Sequence, residues 1–186
     1  MGAGGREHAL SWKLSTSEKI DQVYAAPGNG GTLQNVELSV TDIEGLAKFA
    51  QEKNCFTVVG PEDPLAAGIV DAFVEKGLPI FGPSKNAAKL ESSKIWAKEF
   101  MKRNSIPTAD FEIFDDAQKA KDFVKSYEKP VVIKADGLAA GKGVYICENK
   151  NQGEQAIKEI FNGKFGKANE LLIEEFLKGE EMSFFI

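Results

Sequence analysis

Lys134-Ala-Asp-Gly-Leu-Ala-Ala-Gly-Lys-Gly-Val144 decides the fold of the second half of this 186-residue chain. The apolar runs Pro130-Val-Val-Ile133, before it, and Val144-Tyr-Ile-Cys147, after it, are both typical of buried strands. The stretch itself contains three glycines and two lysines. Glycine lets a backbone bend and approach a ligand, and lysine supplies a point charge suited to phosphate. We therefore predict a hairpin whose glycine-rich, basic loop covers a phosphate group.

Two familiar phosphate motifs do not fit this chain. The P-loop needs four residues between its first glycine and Gly-Lys-Ser/Thr, whereas three separate Gly137 from Gly141, and Gly143 stands where the hydroxyl should be. The dinucleotide fingerprint Gly-x-Gly-x-x-Gly begins at Gly2, but Glu7 fills its third glycine position. The plain alternative is a flexible hairpin without a ligand. The concentration of glycine and lysine between two apolar strands favours the phosphate loop.

The composition is that of a globular protein, with 42% hydrophobic and 27% charged residues. The net charge of −5 argues against general nucleic-acid binding, because a basic footprint is missing. No apolar run reaches transmembrane length, so no membrane partner is expected, and no secretory signal precedes the first glycine turn. Cys55 and Cys147 lack metal-ligand spacing. We interpret them as buried thiols of a cytoplasmic protein.

The two ends of the sequence suggest a piece of a longer protein. Gly2-Ala-Gly-Gly5 follows Met1 directly, although a glycine turn of this kind normally leaves the end of a strand. Ser183-Phe-Phe-Ile186 stops within a strand-like run. We therefore expect a longer parent whose first strand would precede Gly2.

Residues 1–83 predict an N-terminal α/β domain with a parallel, Rossmann-like sheet, because strands alternate with helices across short loops. Residues 84–110 read as a helical connection, and residues 111–186 as an α+β unit built around the hairpin. The N-terminal strands are predicted at 23–26, 56–59 and 79–81, with helices at 6–15 and 66–76. The first helix is expected to bury Ala9, Leu10, Trp12 and Leu14. The second unit is predicted to have strands at 111–114, 130–135, 144–147 and 171–175, with helices at 117–127 and 153–162.

A set of short motifs, each weak alone, occurs along essentially the whole chain in a specific order. The motifs are Gly2-Ala-Gly-Gly-Arg-Glu-His-Ala9, Pro27-Gly-Asn-Gly-Gly-Thr32, Val59-Gly-Pro-Glu62, Pro64-Leu-Ala-Ala-Gly68, Phe81-Gly-Pro83, Leu90-Glu-Ser-Ser-Lys94, Lys134 to Val144, and Glu174-Glu-Phe-Leu-Lys-Gly-Glu-Glu181. With these motifs in this order, the chain resembles the glycinamide ribonucleotide synthetase family of the ATP-grasp superfamily.

The resemblance implies the ATP-dependent ligation of glycine to 5-phosphoribosylamine through a glycyl phosphate, in purine biosynthesis. It implies an N-terminal domain followed by the first, lid-bearing part of an ATP-grasp domain. The implied substrates are ATP, glycine and 5-phosphoribosylamine, with Mg²⁺ or Mn²⁺, in an enzyme expected to be a monomer. Two other readings stay open: another ATP-grasp carboxylate–amine ligase, and a non-catalytic nucleotide-binding fragment.

The same resemblance assigns residues to ATP. It implies that Lys134 and Lys142 are catalytic and, with Lys94, contact the phosphates, while Gly141 and Gly143 let the loop close over them. A hinge segment would contact the edge of adenine, and a later carboxylate would bind the ribose hydroxyls. The hinge residues are Glu174, Glu175, Phe176 and Leu177, and the ribose carboxylate is Glu181.

The N-terminal loops are expected to hold the phosphorylated sugar. Gly4 and Gly5 begin a helix, whose free amide groups favour an anion, and Arg6 adds charge there. The loop of Gly28, Asn29 and Gly30 follows a predicted strand, at the edge of an α/β sheet where ligands bind. Glu62 is a further candidate for substrate contact. The family's metal ligands are expected downstream of Ile186, so no metal site is predicted within the chain, and the chain alone is expected not to turn over.

Overall fold

The structure is a computed structural model that describes residues 1–138, 142–166 and 168–184. The chain divides into two compact units, Met1–Lys89 (unit 1) and Leu90–Ile186 (unit 2). The division falls inside the segment 84–110, for which the sequence predicts a helical connection.

Unit 1 combines short strands with helices, and its two named strands, β1 and β2, pair in parallel. Thr57 of β1 lies opposite Ile80 of β2. The predicted parallel α/β sheet is confirmed. The elements are α1 (Gly5–Ser15), α2 (Ile43–Lys53), β1 (Thr57–Val58), α3 (Glu62–Ala67), α4 (Ile69–Glu75), β2 (Ile80–Phe81) and α5 (Lys85–Ser92), whose last residues belong to unit 2.

Two predicted elements of unit 1 are wrong. The helix at 66–76 is two helices, because Gly68 adopts a left-handed conformation (φ +97°) that ends α3 and begins α4. The strand at 23–26 is reduced to isolated bridges. Its backbone partner is a loop: the Ala25 amide donates to the Gln34 carbonyl, and Ala25 accepts from the Val36 amide.

The core prediction for α1 is also wrong. Leu10 and Trp12 are 43% and 64% exposed, and the buried residue of the helix is Glu7. Its Oε2 accepts a hydrogen bond of 2.6 Å from the Gly4 amide, so the carboxylate turns inward to hold the preceding turn. Trp12 lies five residues after Glu7, and this spacing places it roughly 140° around the helix from the buried Glu7 side chain. The core of unit 1 lies elsewhere, in a cluster of Ala26, Leu46, Ala47, Ala50, Val59, Ile69, Val70 and Phe73.

Unit 2 contains an antiparallel sheet with the strand order β3-β6-β4-β5. The predicted hairpin is present, since β4 and β5 pair with Ile133 opposite Tyr145. The four predicted strands and both predicted helices are confirmed to within three residues at each end. The elements are α6 (Lys94–Arg103), β3 (Phe111–Phe114), α7 (Ala117–Ser126), β4 (Val131–Ala135), β5 (Val144–Cys147), α8 (Lys150–Phe161) and β6 (Leu171–Glu175).

Helices α7 and α8 cover one face of this sheet, and the opposite face carries Lys134 and Glu174 beside apolar residues such as Leu172. Alternate residues of β4 (Val131, Ile133 and Ala135) join the core beneath the helices. Gly153 of α8 permits the close helix contact, because a Cβ there would lie 2.6 Å from Cγ1 of Val124. In the described ranges, no helix has both the length and the apolar character needed to cross a membrane.

Candidate functional site

The centre of the candidate site in unit 2 is a contact between Lys134 and Glu174. The register places Val132 of β4 opposite Glu174 of β6, so Lys134, two residues along, lies on the same sheet face. Its Nζ is 2.8 Å from Oε2 of Glu174. The Lys134 side chain keeps 26% of its surface exposed, whereas Glu174 is buried. Lys134 therefore reaches solvent while Glu174 does not.

A second lysine, Lys98 of α6, contacts the same carboxylate from within the protein. Its Nζ is 3.4 Å from Oε1 of Glu174, and it donates to Oγ1 of Thr108 at 2.6 Å and to the Ala109 carbonyl at 2.9 Å. Only 5% of Lys98 is exposed. Burial lowers the pKa of Lys98, and the negative charge of Glu174 partly opposes that effect.

The start of the predicted phosphate loop is fixed to the N-terminus of α6. Oδ1 of Asp136 accepts from the Ile95 amide at 3.1 Å and from the Ser93 hydroxyl at 3.2 Å. Lys94 donates from Nζ to the Gly137 carbonyl at 2.9 Å. A carboxylate is stabilised at a helix N-terminus by the free amides and the helix dipole. Lys94 is thus placed at the base of the loop.

For the other residues predicted to bind ATP, the structure describes fewer side-chain contacts. Lys142 is exposed, and Gly143 is buried with its carbonyl accepting from the Ala135 amide at 2.8 Å, which closes the base of the loop. Gly141 lies outside the described residues. The predicted hinge leaves β6 beside Pro130, whose carbonyl accepts from the Phe176 amide at 3.3 Å. Glu175 is half-buried and accepts from the Asp110 amide, while Leu177 and Glu181 are exposed.

In unit 1 the predicted substrate loops are fastened to one another. The Asn29 side-chain amide donates to the carbonyls of Ala3 at 3.0 Å and Gly4 at 3.3 Å. Gly28 has a φ of +76°, and a Cβ there would lie 2.1 Å from Oδ1 of Asn35. Gly30 is exposed and has open space where a Cβ would stand. The loop conformation therefore depends on glycine at position 28 rather than at position 30.

Some of the polar and charged groups at these loops already have partners within unit 1. The amide of Gly4 is not free for an anion, because it donates to Glu7. Both terminal nitrogens of Arg6 are 3.1 Å from Oε1 of Glu62, in an exposed pair. Gly5 is the first residue of α1 and is exposed. The pKa of Glu62 is lowered by its own backbone amide and then by the Arg6 guanidinium.

Three residues of these sites were missed from the sequence: Lys98, Asp136 and Glu7. Lys98 lies three residues after Ile95, the other buried residue of α6, and this spacing was the available signal. Asp136 lies between Lys134 and Gly137, and a lone carboxylate in a basic loop carries no signal of a helix contact. Glu7 stands at the third glycine position of the dinucleotide fingerprint, which predicts no contact for its side chain. Its Oε1 is buried and has no hydrogen-bond partner among the described residues.

A cavity of about 640 Å³ borders the hinge residues Glu174 and Glu175. Lys94, Lys134 and Lys142 do not line it, so it does not coincide with the predicted phosphate contacts. Within the part of the chain that the structure describes, no three His, Cys, Asp or Glu side chains are grouped so that they could hold a metal ion.

Comparison with known proteins places these features in a family. Residues 1–91 match the family described as phosphoribosylglycinamide synthetase, N domain, and residues 92–186 match its ATP-grasp (A) domain. A phosphoribosylamine–glycine ligase of Ralstonia nicotianae is 54% identical over all of this chain and 46% of its own length, and one of Haemophilus influenzae is 49% identical over all of this chain and 45% of its own. The chain thus spans less than half the length of these curated relatives.

A solved structure supports the same assignment. Phosphoribosylamine–glycine ligase from Thermotoga maritima is similar with a TM-score of 0.72 at 31% identity, over 96% of this chain and 43% of that one. The biotin carboxylase domain of 2-oxoglutarate carboxylase from Hydrogenobacter thermophilus is similar with a TM-score of 0.61 at 26% identity, over 81% of this chain and 34% of that one. The two family matches together cover the whole chain, and it therefore belongs to the phosphoribosylglycinamide synthetase family.

Proposed function

We propose that the protein containing this chain joins glycine to 5-phosphoribosylamine with ATP, giving glycinamide ribonucleotide, ADP and phosphate. The observation that carries the proposal is the glycine-rich hairpin with Lys134 at the end of β4 and Lys94 at the base of the loop, in a chain of this family. The similar biotin carboxylase domain was solved with MgADP and bicarbonate, which supports a nucleotide site in the same fold. The same family membership supports a cytoplasmic enzyme acting on small molecules.

The chemistry requires two displacements. A carboxylate oxygen of glycine attacks the γ-phosphorus of ATP, and the bond to ADP breaks, which gives glycyl phosphate. The amine of phosphoribosylamine then attacks the acyl carbon, loses a proton and expels phosphate. Both steps move negative charge between oxygens, so the protein contributes mainly by positioning and by charge stabilisation.

In this mechanism Lys94, Lys134 and Lys142 would hold the phosphates of ATP. An ammonium group donates three hydrogen bonds, and the structure gives Lys134 one partner among the described residues, Glu174. Lys134 thus retains donors for a phosphate, and its side chain is partly exposed. The segment Glu174 to Leu177 would face adenine, and Glu181 would contact ribose. Gly141 and Gly143 would let the loop approach the phosphates.

The loops of unit 1 would take the phosphorylated sugar. The Arg6–Glu62 pair is exposed, so water can replace either partner at little cost when an anionic substrate competes for Arg6. The loop Gly28 to Gly30 and the turn at Gly4 and Gly5 are joined by Asn29, which would present them as one surface. Among the described residues, no group of acidic side chains could hold Mg²⁺ or Mn²⁺.

The test is ADP release by the full-length parent protein with glycine, 5-phosphoribosylamine and ATP. We expect release only when both co-substrates are present, and a fall of at least a hundredfold in Lys134→Ala, since charge stabilisation of this kind supplies factors of that order. Lys119→Ala is the matched control, because Lys119 is an exposed lysine of α7 whose charge pairs with Asp115. Release with a different carboxylate in place of glycine would contradict the proposal and favour another ATP-grasp ligase. Activity that is unchanged in Lys134→Ala would contradict the phosphate role.

A further inference from the structure

The cluster of Lys98, Glu174 and Lys134 is built asymmetrically around one buried carboxylate. Lys98 uses three partners: Glu174, Thr108 and the Ala109 carbonyl. An ammonium group has three N–H donors, so its capacity is filled. Lys134 has the shorter contact to Glu174 but a more exposed side chain. One lysine is therefore fixed inside the protein and the other is able to turn outward.

The free-energy cost of turning Lys134 away from Glu174 depends on Lys98. If Lys134 leaves Glu174 for a phosphate, the carboxylate loses its 2.8 Å partner while remaining buried. An unpaired buried carboxylate is strongly unfavourable, so without a second cation the carboxylate would hold Lys134 back. Lys98 stays within 3.4 Å of the other carboxylate oxygen, Oε1, and removes most of that cost.

We propose that Lys98 is a positioning residue that serves as the permanent counter-ion of Glu174, so that Lys134 can exchange the carboxylate for a nucleotide phosphate. The inference rests on the proposed function, because it takes Lys134 to be a phosphate ligand. It adds a role for a buried residue, Lys98, that would act through Glu174. No covalent step is involved; one ion pair is replaced by another.

The test is calorimetric titration of the full-length parent protein with ADP and, separately, with adenosine. In Lys98→Met we expect ADP affinity to fall at least tenfold, because Glu174 then has Lys134 as its only cation. Adenosine affinity should change less than threefold, because adenosine carries no phosphate. The difference between the two ligands separates this role from a structural one, since a damaged fold would weaken both.

A compensating variant sharpens the test. In Lys98→Met/Glu174→Gln the buried carboxylate is gone, so Lys134 is no longer held, and the ratio of ADP to adenosine affinity should recover to within threefold of wild type. The rate at which an amine-reactive reagent acylates Lys134, measured by mass spectrometry, should fall at least threefold in Lys98→Met. The rate should recover in the double variant. Lys98→Met that folds, as shown by its thermal melt, and keeps its ADP affinity would overturn the proposal.

Failure of the proposed function gives a different pattern. If Lys134 has no phosphate role, ADP and adenosine would bind the wild-type parent protein equally, or not at all, and Lys134→Ala would change neither. Both outcomes would overturn the exchange as well. If ADP binding depends on Lys134 but is indifferent to Lys98, the proposed function stands and the counter-ion role fails.

Discussion

Glu62 in unit 1 and Glu174 in unit 2 each hold a basic side chain, but water reaches only the first of these carboxylates. The Arg6–Glu62 pair has more contacts, with three nitrogen–oxygen distances between 3.1 and 3.3 Å. Exposed pairs nevertheless contribute little, because each charge is already well solvated. At Glu174 the carboxylate and Lys98 are both buried, so loss of either leaves a charge that water cannot reach. Burial, more than the number of contacts, decides the energetic weight of each pair.

The largest effect is expected at Glu174. Glu174→Gln should lower the free energy of unfolding of unit 2 by about 3–5 kcal/mol, since Lys98 is left buried without its counter-ion. Each unit has one tryptophan, so urea unfolding in a Trp12→Phe background reports on unit 2 through Trp96. Lys98→Met/Glu174→Gln is the control, and it should recover most of the loss. A loss below about 1 kcal/mol in the single variant would show that the cluster is hydrated.

A smaller effect is expected at Asp136, whose carboxylate lies at the N-terminus of α6. Asp136→Ala should lower the free energy of unfolding of unit 2 by about 1–2 kcal/mol, because the Ile95 amide loses its acceptor. Asp136→Asn keeps an acceptor oxygen and should lose less. The same Trp96 signal measures both. Equal losses in the two variants would mean that charge at the helix dipole, rather than the hydrogen bond, is the main contribution.

The Arg6–Glu62 pair should matter least for stability at neutral pH. Glu62→Gln is expected to change the free energy of unfolding of unit 1 by less than about 1 kcal/mol. Trp12 fluorescence in a Trp96→Phe background measures it, and a cycle with Arg6→Gln isolates the pair. A coupling energy as large as that of Lys98 and Glu174 would contradict the conclusion that burial decides the energetic weight of each pair.

A partly exposed cluster within unit 2 tests whether solvent exposure, rather than the unit in which a pair lies, decides the energetic weight of an ion pair. Lys164, then Tyr145 and Gln155, hydrogen-bond Glu159 and lower its pKa from 4.5 to about 2. A lowered carboxyl pKa gives stability that is complete above pH 4.5 and is lost as the pH falls toward 2. Urea midpoints of wild type and Glu159→Gln should therefore differ at pH 6 and converge near pH 2. Added salt should shrink the difference at pH 6, because exposed pairs are screened; a salt-independent difference would contradict this.

The sheet of unit 2 could be predicted because its strands are apolar runs that the sequence separates clearly. Val144–Cys147 and Leu171–Glu175 have the expected bounds. The break at Gly68 could not be predicted, because a single glycine inside an apolar helical pattern is tolerated in many helices. The hairpin that carries Lys134 could be predicted from local composition, because its glycines and lysines lie between two apolar runs. The place of Lys98 could not be predicted in this way, because it depends on the carboxylate of Glu174. Glu174 is 76 residues later in the chain, and only the folded sheet brings it near.

The position of Met1 and Gly2 has a consequence for solubility. Their backbone bridges two segments: the Met1 amine donates to the Val58 carbonyl at 2.8 Å, and the Gly2 amide donates to the Ala26 carbonyl at 2.7 Å. An apolar cavity of about 530 Å³ opens beside this bridge, lined by both segments. An open apolar surface of this kind is one to which another apolar surface can bind. Concentrated solutions of the chain should therefore lose protein first through self-association of unit 1, at a rate that rises more than linearly with concentration.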